Sequence, residues 1–244
     1  MPVRKLLRIL FPLFGVTFTS WMFWGYQSVN VPDSAMHSDS AVRVFDNGTA
    51  AFFQPRHARR ATGVIFLPGG MVDPVAYAPF VKSIAAAGHP AYILRLPFRC
   101  ACTDHLRNEL FAGISELVKA HPETRWYLAG HSRGAMLAAR YARESATNIS
   151  GLILIGTTHP RDFDLSGTPL KVTRILGSND GVAPAAAARA NGHLLPPSAQ
   201  TIEIPGANHV QFAHYRHQLL DGSATITREF QQAETLKAVR RALQ

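Results

Sequence analysis

Apolar and polar positions change their rhythm several times along the 244-residue chain, and each change predicts an element. Residues 9–25 (ILFPLFGVTFTSWMFWG) carry no charge, and Arg4, Lys5 and Arg8 stand before them. As a helix this run would reach roughly 25 Å, close to the thickness of a bilayer's hydrocarbon. Leu6 and Leu7 lengthen it, Arg8 can snorkel, and Trp21, Trp24 and Tyr26 gather at the far end, where amphipathic rings prefer an interface. No polar face interrupts it, so a buried amphipathic helix fits poorly. Pro12, Thr17, Thr19 and Ser20 weaken it as a span, and no small-x-small cleavage site follows Gly25. The expectation is an uncleaved membrane anchor over residues 1–25, with a cleaved signal sequence as the alternative. The positive flank then leaves the N-terminus in the cytoplasm and everything after it outside. Residues 26–40 are polar, with a Pro and several Ser, and suit a tether; residues 41–244 remain as the folded domain.

Inside that domain the period shortens. Residues 42–45 alternate, Asp46-Asn47-Gly48 supplies a turn, and residues 50–54 follow as a second strand. Residues 64–67 (VIFL) form a short continuous apolar run, the mark of a strand buried on both faces. Further strands are expected over 91–94, 126–129, 151–155, 172–176 and 201–204. Helices are expected over 75–87, 105–120, 135–144 and 228–243, the first ending at Gly88. Strand and helix in alternation predict an α/β domain with a mainly parallel central sheet, the opening hairpin forming its antiparallel edge.

The sharpest chemical signal is Gly130-His131-Ser132-Arg133-Gly134, a G-x-S-x-G set directly between a strand and a helix. A tight strand-to-helix turn pushes the serine outward, small residues two positions away relieve the crowding, and the helix N-terminus adds partial positive charge. A hydroxyl nucleophile needs a base, and the base an orienting acid. Asp180 lies in Gly177-Ser178-Asn179-Asp180-Gly181, after one strand, and His209 in Pro205-Gly206-Ala207-Asn208-His209, after the last. Both fall at C-terminal strand ends, where sheets of this class place their sites. Asp162 and Asp164 are rivals for the acid, in the loop after the sixth strand; position and the G-x-x-D-G setting favour Asp180.

These residues, with the Leu67-Pro68-Gly69-Gly70 turn, resemble the α/β-hydrolase superfamily in its small dienelactone-hydrolase-like and carboxylesterase branch, over about residues 60–244. The resemblance implies a serine hydrolase that cleaves small carboxylic esters or lactones through an acyl-enzyme, with Ser132, Asp180 and His209 catalytic. It also implies oxyanion donors at the amides of Arg133 and Gly70, with Met71 as the alternative to Gly70. Pro68 stands where many relatives carry a His, which leaves the second donor open. No metal or organic cofactor is required. Only residues 156–170 separate the sixth strand from the next, too few for a helical cap, so an open site is expected. Transfer to another acceptor, peptide cleavage or a non-catalytic binding role on the same scaffold are the alternatives.

Charge and cysteines change this picture little. Lys and Arg outnumber Asp and Glu by 25 to 16, for a net charge of +9, yet the cations are scattered and no nucleic-acid motif accompanies them. A small-molecule substrate and a membrane, not nucleic acid, are the expected partners. His209, His214, His217 and Asp221 do not match a zinc spacing. Cys100 and Cys102 are too few for a disulfide scaffold and are read as free or loosely paired thiols, with a small-ring disulfide as the alternative.

Overall fold

The computed structural model describes residues 3–57, 59–145 and 148–244. Eight strands make one sheet: β1 (Val42–Asp46), β2 (Ala50–Pro55), β3 (Thr62–Leu67), β4 (Ala91–Leu94), β5 (Arg125–His131), β6 (Gly151–Ile155), β7 (Lys171–Gly177) and β8 (Gln200–Ile204). Their order is β1-β2-β4-β3-β5-β6-β7-β8. β1 pairs antiparallel with β2, and β2 with β4, while every other pairing is parallel. The expected antiparallel hairpin edge is therefore present.

The continuous apolar runs have a simple cause: both faces of the sheet are covered. Along β3, Val64 and Phe66 face one core while Ile65 and Leu67 face the other. On β6, Ile153 and Ile155 join the first and Leu152 and Leu154 the second. Helices α2 (Ala78–Ala86) and α6 (Arg228–Ala242) close the first layer through Phe80, Val81, Ile84 and Val239. Helices α3 (Asp104–Ala120) and α4 (Arg133–Ser145) close the second through Leu110, Ile114, Leu137 and Tyr141. Two features lie outside the expected pattern. The helix expected over 75–87 begins as a 3-10 turn, Pro74–Tyr77, and a short helix, α5 (Ala185–Ala190), has too few residues to show a period.

The N-terminal expectations need correction. Val3–Gly25 is one helix, α1; Phe11 is 80% and Phe14 66% exposed, while Trp21 and Trp24 at its C-terminal end lie against His217. Yet among the described residues no helix is long and apolar enough to cross a membrane. Composition accounts for this: Pro12, Gly15, Thr17, Thr19 and Ser20 dilute the run, and Thr17 turns its hydroxyl back onto the carbonyls of Leu13 and Phe14. Residues 26–40 do not hang as a tether. Ala35 is buried, Val29 N–H donates to His214 O over 2.8 Å, and Lys82 Nζ donates to the carbonyls of Ser34 and His37 at 2.7 Å each. Hydrogen bonds between this polar stretch and distant loops hold it down, and no local pattern announces them.

Candidate active site

The elbow is built by close approach. Ser132 follows β5 with φ 53°, and its N–H donates to Ile155 O over 2.9 Å. A left-handed non-glycine costs on the order of 1–3 kcal/mol and persists only where the surroundings enforce it. Here the enforcement is visible at Gly130 and Gly134. A Cβ on Gly130 would collide with the Gly134 backbone, and one on Gly134 with the carbonyl of Leu67. The two glycines let α4 sit directly on the ends of β3 and β5, and that leaves the serine at the tip of the turn.

The acid and the imidazole meet at the ends of β7 and β8. These strands are parallel neighbours, so the loops that follow them lie side by side: Asn179 N–H donates to Ala207 O over 2.8 Å. His209 Nδ1 and Asp180 Oδ2 are 2.8 Å apart, with both side chains fully buried. The other oxygen of Asp180 accepts from Val182 N–H at 2.9 Å and Ala183 N–H at 2.6 Å, which fixes the carboxylate plane. The rivals are engaged elsewhere. Asp162 lies 3.7 Å from Arg140 and 3.4 Å from His159, and Asp164 accepts from Ser166 N–H.

One residue to which the sequence assigns no role proves structural. Asp221, considered with the histidines as a metal group, braces the His209 turn: its carboxylate accepts from His209 N–H at 3.1 Å and Val210 N–H at 2.9 Å. His214 instead pairs with Gln232, and His217 stacks on Trp21. No group of three or more possible metal ligands occurs among the described residues.

Ser132 and His209 are brought to the same end of the sheet but not into a hydrogen bond. With Nδ1 turned to Asp180, His209 Nε2 faces the other way, buried and without a partner. Catalytic hydrogen bonds are often long or poorly aligned before substrate arrives. Around Ser132 lies an open cleft of about 250 Å³, lined among others by Met136, Gly156, Thr157, His159, Arg161 and Val182. A larger hollow of about 400 Å³ beside Arg143 and Thr168 holds neither Ser132 nor His209.

Hydrogen bonding distinguishes the two amides expected as alternatives for the second oxyanion donor. Met71, with φ 63°, donates its N–H to Arg99 O over 2.6 Å, so that amide is occupied. Gly70 N–H has no partner among the described residues and packs against the Arg133 side chain. Arg133 in turn donates from Nε to Cys100 O at 3.2 Å and from Nη2 to Ala101 O at 3.1 Å. Cys100 and Cys102 form a disulfide, against the expectation of free thiols. Phe98, Arg99 and Ala101 around it all have positive φ, a backbone shape that spacing alone does not reveal.

No curated protein matches the sequence. Solved structures are similar in fold. A serine hydrolase homologue from Coxiella burnetii shares 13% identity at a TM-score of 0.58, over 85% of this chain and 99% of that one. An α/β serine hydrolase without a lid from Xanthomonas campestris shares 17% identity at 0.57, over 85% and 96%. A monoacylglycerol lipase from Paleococcus ferrophilus shares 14% at 0.60, over 81% and 99%. The sequence profile of the Alpha/beta hydrolase family matches residues 63–233, from the strand before the Gly69-Gly70 turn into the last helix. With the mostly parallel eight-stranded sheet, the absence of an evident lid and the serine elbow in place, the chain belongs to the alpha/beta hydrolase family.

Proposed function

We propose that the protein is a serine hydrolase that cleaves small carboxylic esters or lactones through an acyl-enzyme. The observation that carries this reading is the fully buried 2.8 Å Asp180–His209 pair, on loops that share the sheet end with the Ser132 elbow. In the proposed cycle Ser132 Oγ attacks the ester carbonyl and its proton passes to His209 Nε2. Asp180 holds the imidazole by Nδ1–H and stabilises the cation that forms. The tetrahedral oxyanion is met by the amides of Gly70 and Arg133. Its collapse breaks the C–O bond, and His209 returns the proton to the departing alcohol. Water, deprotonated by His209, then attacks the acyl-serine and releases the acid and Ser132. The cleft of about 250 Å³ is at the small end for ligand sites, which suits a short acyl or alcohol part with the remainder outside.

We propose further that the domain works outside the cytoplasm, on or near a membrane. The Cys100–Cys102 disulfide fits an oxidising compartment. The exposed apolar side chains of α1, with Trp21 and Trp24 at its domain end and Arg216 over the Trp24 ring at 4.5 Å, suit attachment at a lipid interface.

A fluorophosphonate probe and p-nitrophenyl esters of increasing chain length test the chemistry. Labelling of Ser132 that is lost in Ser132→Ala, with turnover of short esters, supports hydrolysis. Labelling without turnover points to transfer to another acceptor, and folded protein that is never labelled overturns the reading. Alkaline extraction and protease access in intact cells test the location.

A further inference from the structure

His131 precedes the nucleophile, yet the proposed cycle gives it no task. Its side chain turns into the domain, 1% exposed, with its ring centroid 4.4 Å from that of His209. His131 Nδ1 lies 2.8 Å from Tyr77 Oη, and the same oxygen accepts from Gly69 N–H over 3.0 Å. Tyr77 is fully buried, and His131 Nδ1 is its one acceptor among the described residues. The direction of the protons follows. Gly69 N–H can only donate, so the tyrosine proton goes to His131 Nδ1, and Nε2 carries the hydrogen of a neutral imidazole. Burial, with His209 as the next contributor, holds the His131 pKa well below its usual value and keeps the ring uncharged.

This chain connects three elements that are far apart in sequence. Gly69 precedes the glycine whose amide faces the proposed oxyanion. Tyr77 ends the 3-10 turn that follows that loop. His131 ends β5, with Ser132 next. We propose that Tyr77 and His131 are positioning residues, their hydroxyl–imidazole bond setting the distance between the Gly70 amide and Ser132. The proposal rests on the serine-hydrolase reading. Neither side chain touches substrate: Tyr77 is 0% exposed and His131 1%. The bond locates the oxyanion donor relative to the nucleophile, so its loss acts on the transition state and leaves ground-state binding alone.

Packing is the competing explanation, since Tyr77 also stacks near Phe66 at 5.0 Å and His131 near Phe212 at 5.5 Å. Tyr77→Phe keeps the ring and removes the hydroxyl. At a temperature where both proteins are fully folded, the expected result is kcat for p-nitrophenyl acetate reduced roughly 10–100-fold. KM should stay within about twofold, and affinity for an alkyl boronic acid, which mimics the tetrahedral oxyanion, should fall by the same factor as kcat. His131→Asn places an amide oxygen near the Nδ1 position and should retain most of the kcat that His131→Leu loses. Tyr77→Phe with wild-type kcat and boronate affinity overturns the proposal. If that variant does not fold, equal kcat in His131→Asn and His131→Leu overturns it instead. A wild-type protein without labelling or turnover removes the hydrolase reading and this proposal with it, whereas an active wild type indifferent to these variants removes the positioning role alone.

Discussion

The two sides of the reacting centre are held in place by different means. On the imidazole side, charge is the organiser: two carboxylates, Asp180 and Asp221, hold His209 by its ring and by its backbone, and both belong to loops at the β7–β8 end of the sheet. On the oxyanion side no carboxylate takes part in the direct contacts. The Gly69–Met71 loop is fixed by two neutral groups, the Tyr77 hydroxyl and the Arg99 carbonyl, while the Arg133 cation reaches over to the carbonyls of Cys100 and Ala101. Such a division suits acyl transfer. In the proposed cycle the imidazole becomes cationic and needs an anion behind it, while the oxyanion needs donors, and a nearby carboxylate would oppose it.

If this contrast is right, damage on the two sides should differ in size. Ser132→Ala removes what both sides serve and should reduce kcat by roughly 10⁴–10⁶, read by ester turnover with intact circular dichroism. Asp180→Asn keeps the shape but loses the negative charge and the tautomer it enforces; kcat should fall by about 10⁴. Asp221→Asn acts one step back, because an amide cannot accept from both His209 N–H and Val210 N–H as the carboxylate does. About tenfold in kcat is expected, with a lower melting temperature from the unsatisfied Val210 N–H. Arg133→Ala keeps its own amide and loses only the guanidinium link to the Cys100 loop. A comparable or smaller fall in kcat is expected there, with the pH profile of the base unchanged, which would separate the two sides.

The smallest effect is on stability. His131 is fully buried and burial holds its pKa well below that of a free imidazole, and His89, His159 and His214 are lowered for the same leading reason. As pH falls below about 6.5 the unfolded chain takes up protons that these folded histidines resist, so stability falls with pH in that window. For His131 the limit is about 1.4 kcal/mol per pH unit, and the half-buried histidines add less. Melting temperatures between pH 7.5 and 5.5 should decline, and His131→Asn should shallow the slope.

How much of this could be read without coordinates depends on how local each cause is. The β3, β5 and β6 runs, the G-x-S-x-G elbow and the loop positions of Asp180 and His209 follow from short spacings, and all were read close to where they stand. The Cys-x-Cys spacing leaves thiols and a small-ring disulfide both open, because a separation of two residues says nothing of the positive φ angles found around the pair. Residues 26–40 read as a tether from the sequence because their partners, His214 and Lys82 among them, lie tens of residues away or more. The resemblance offers Gly70 with Met71 as the alternative, and it does not reveal that Arg99 O occupies the Met71 amide, because Arg99 lies on a distant loop. Tyr77 carried no signal at all, since a tyrosine after Pro74-Val75-Ala76 looks like ordinary core.

The chain by itself determined the layer order, the parallel sheet and which residue types would stand at its C-terminal end, because side-chain periodicity and turn chemistry act over a few residues. Only the tertiary structure decided which carboxylate faces His209, which of the Gly70 and Met71 amides is left without a partner among the described residues, and what holds the Gly69–Met71 loop. Each of those is a choice between groups distant in sequence, settled by packing and by which buried polar atom finds a partner.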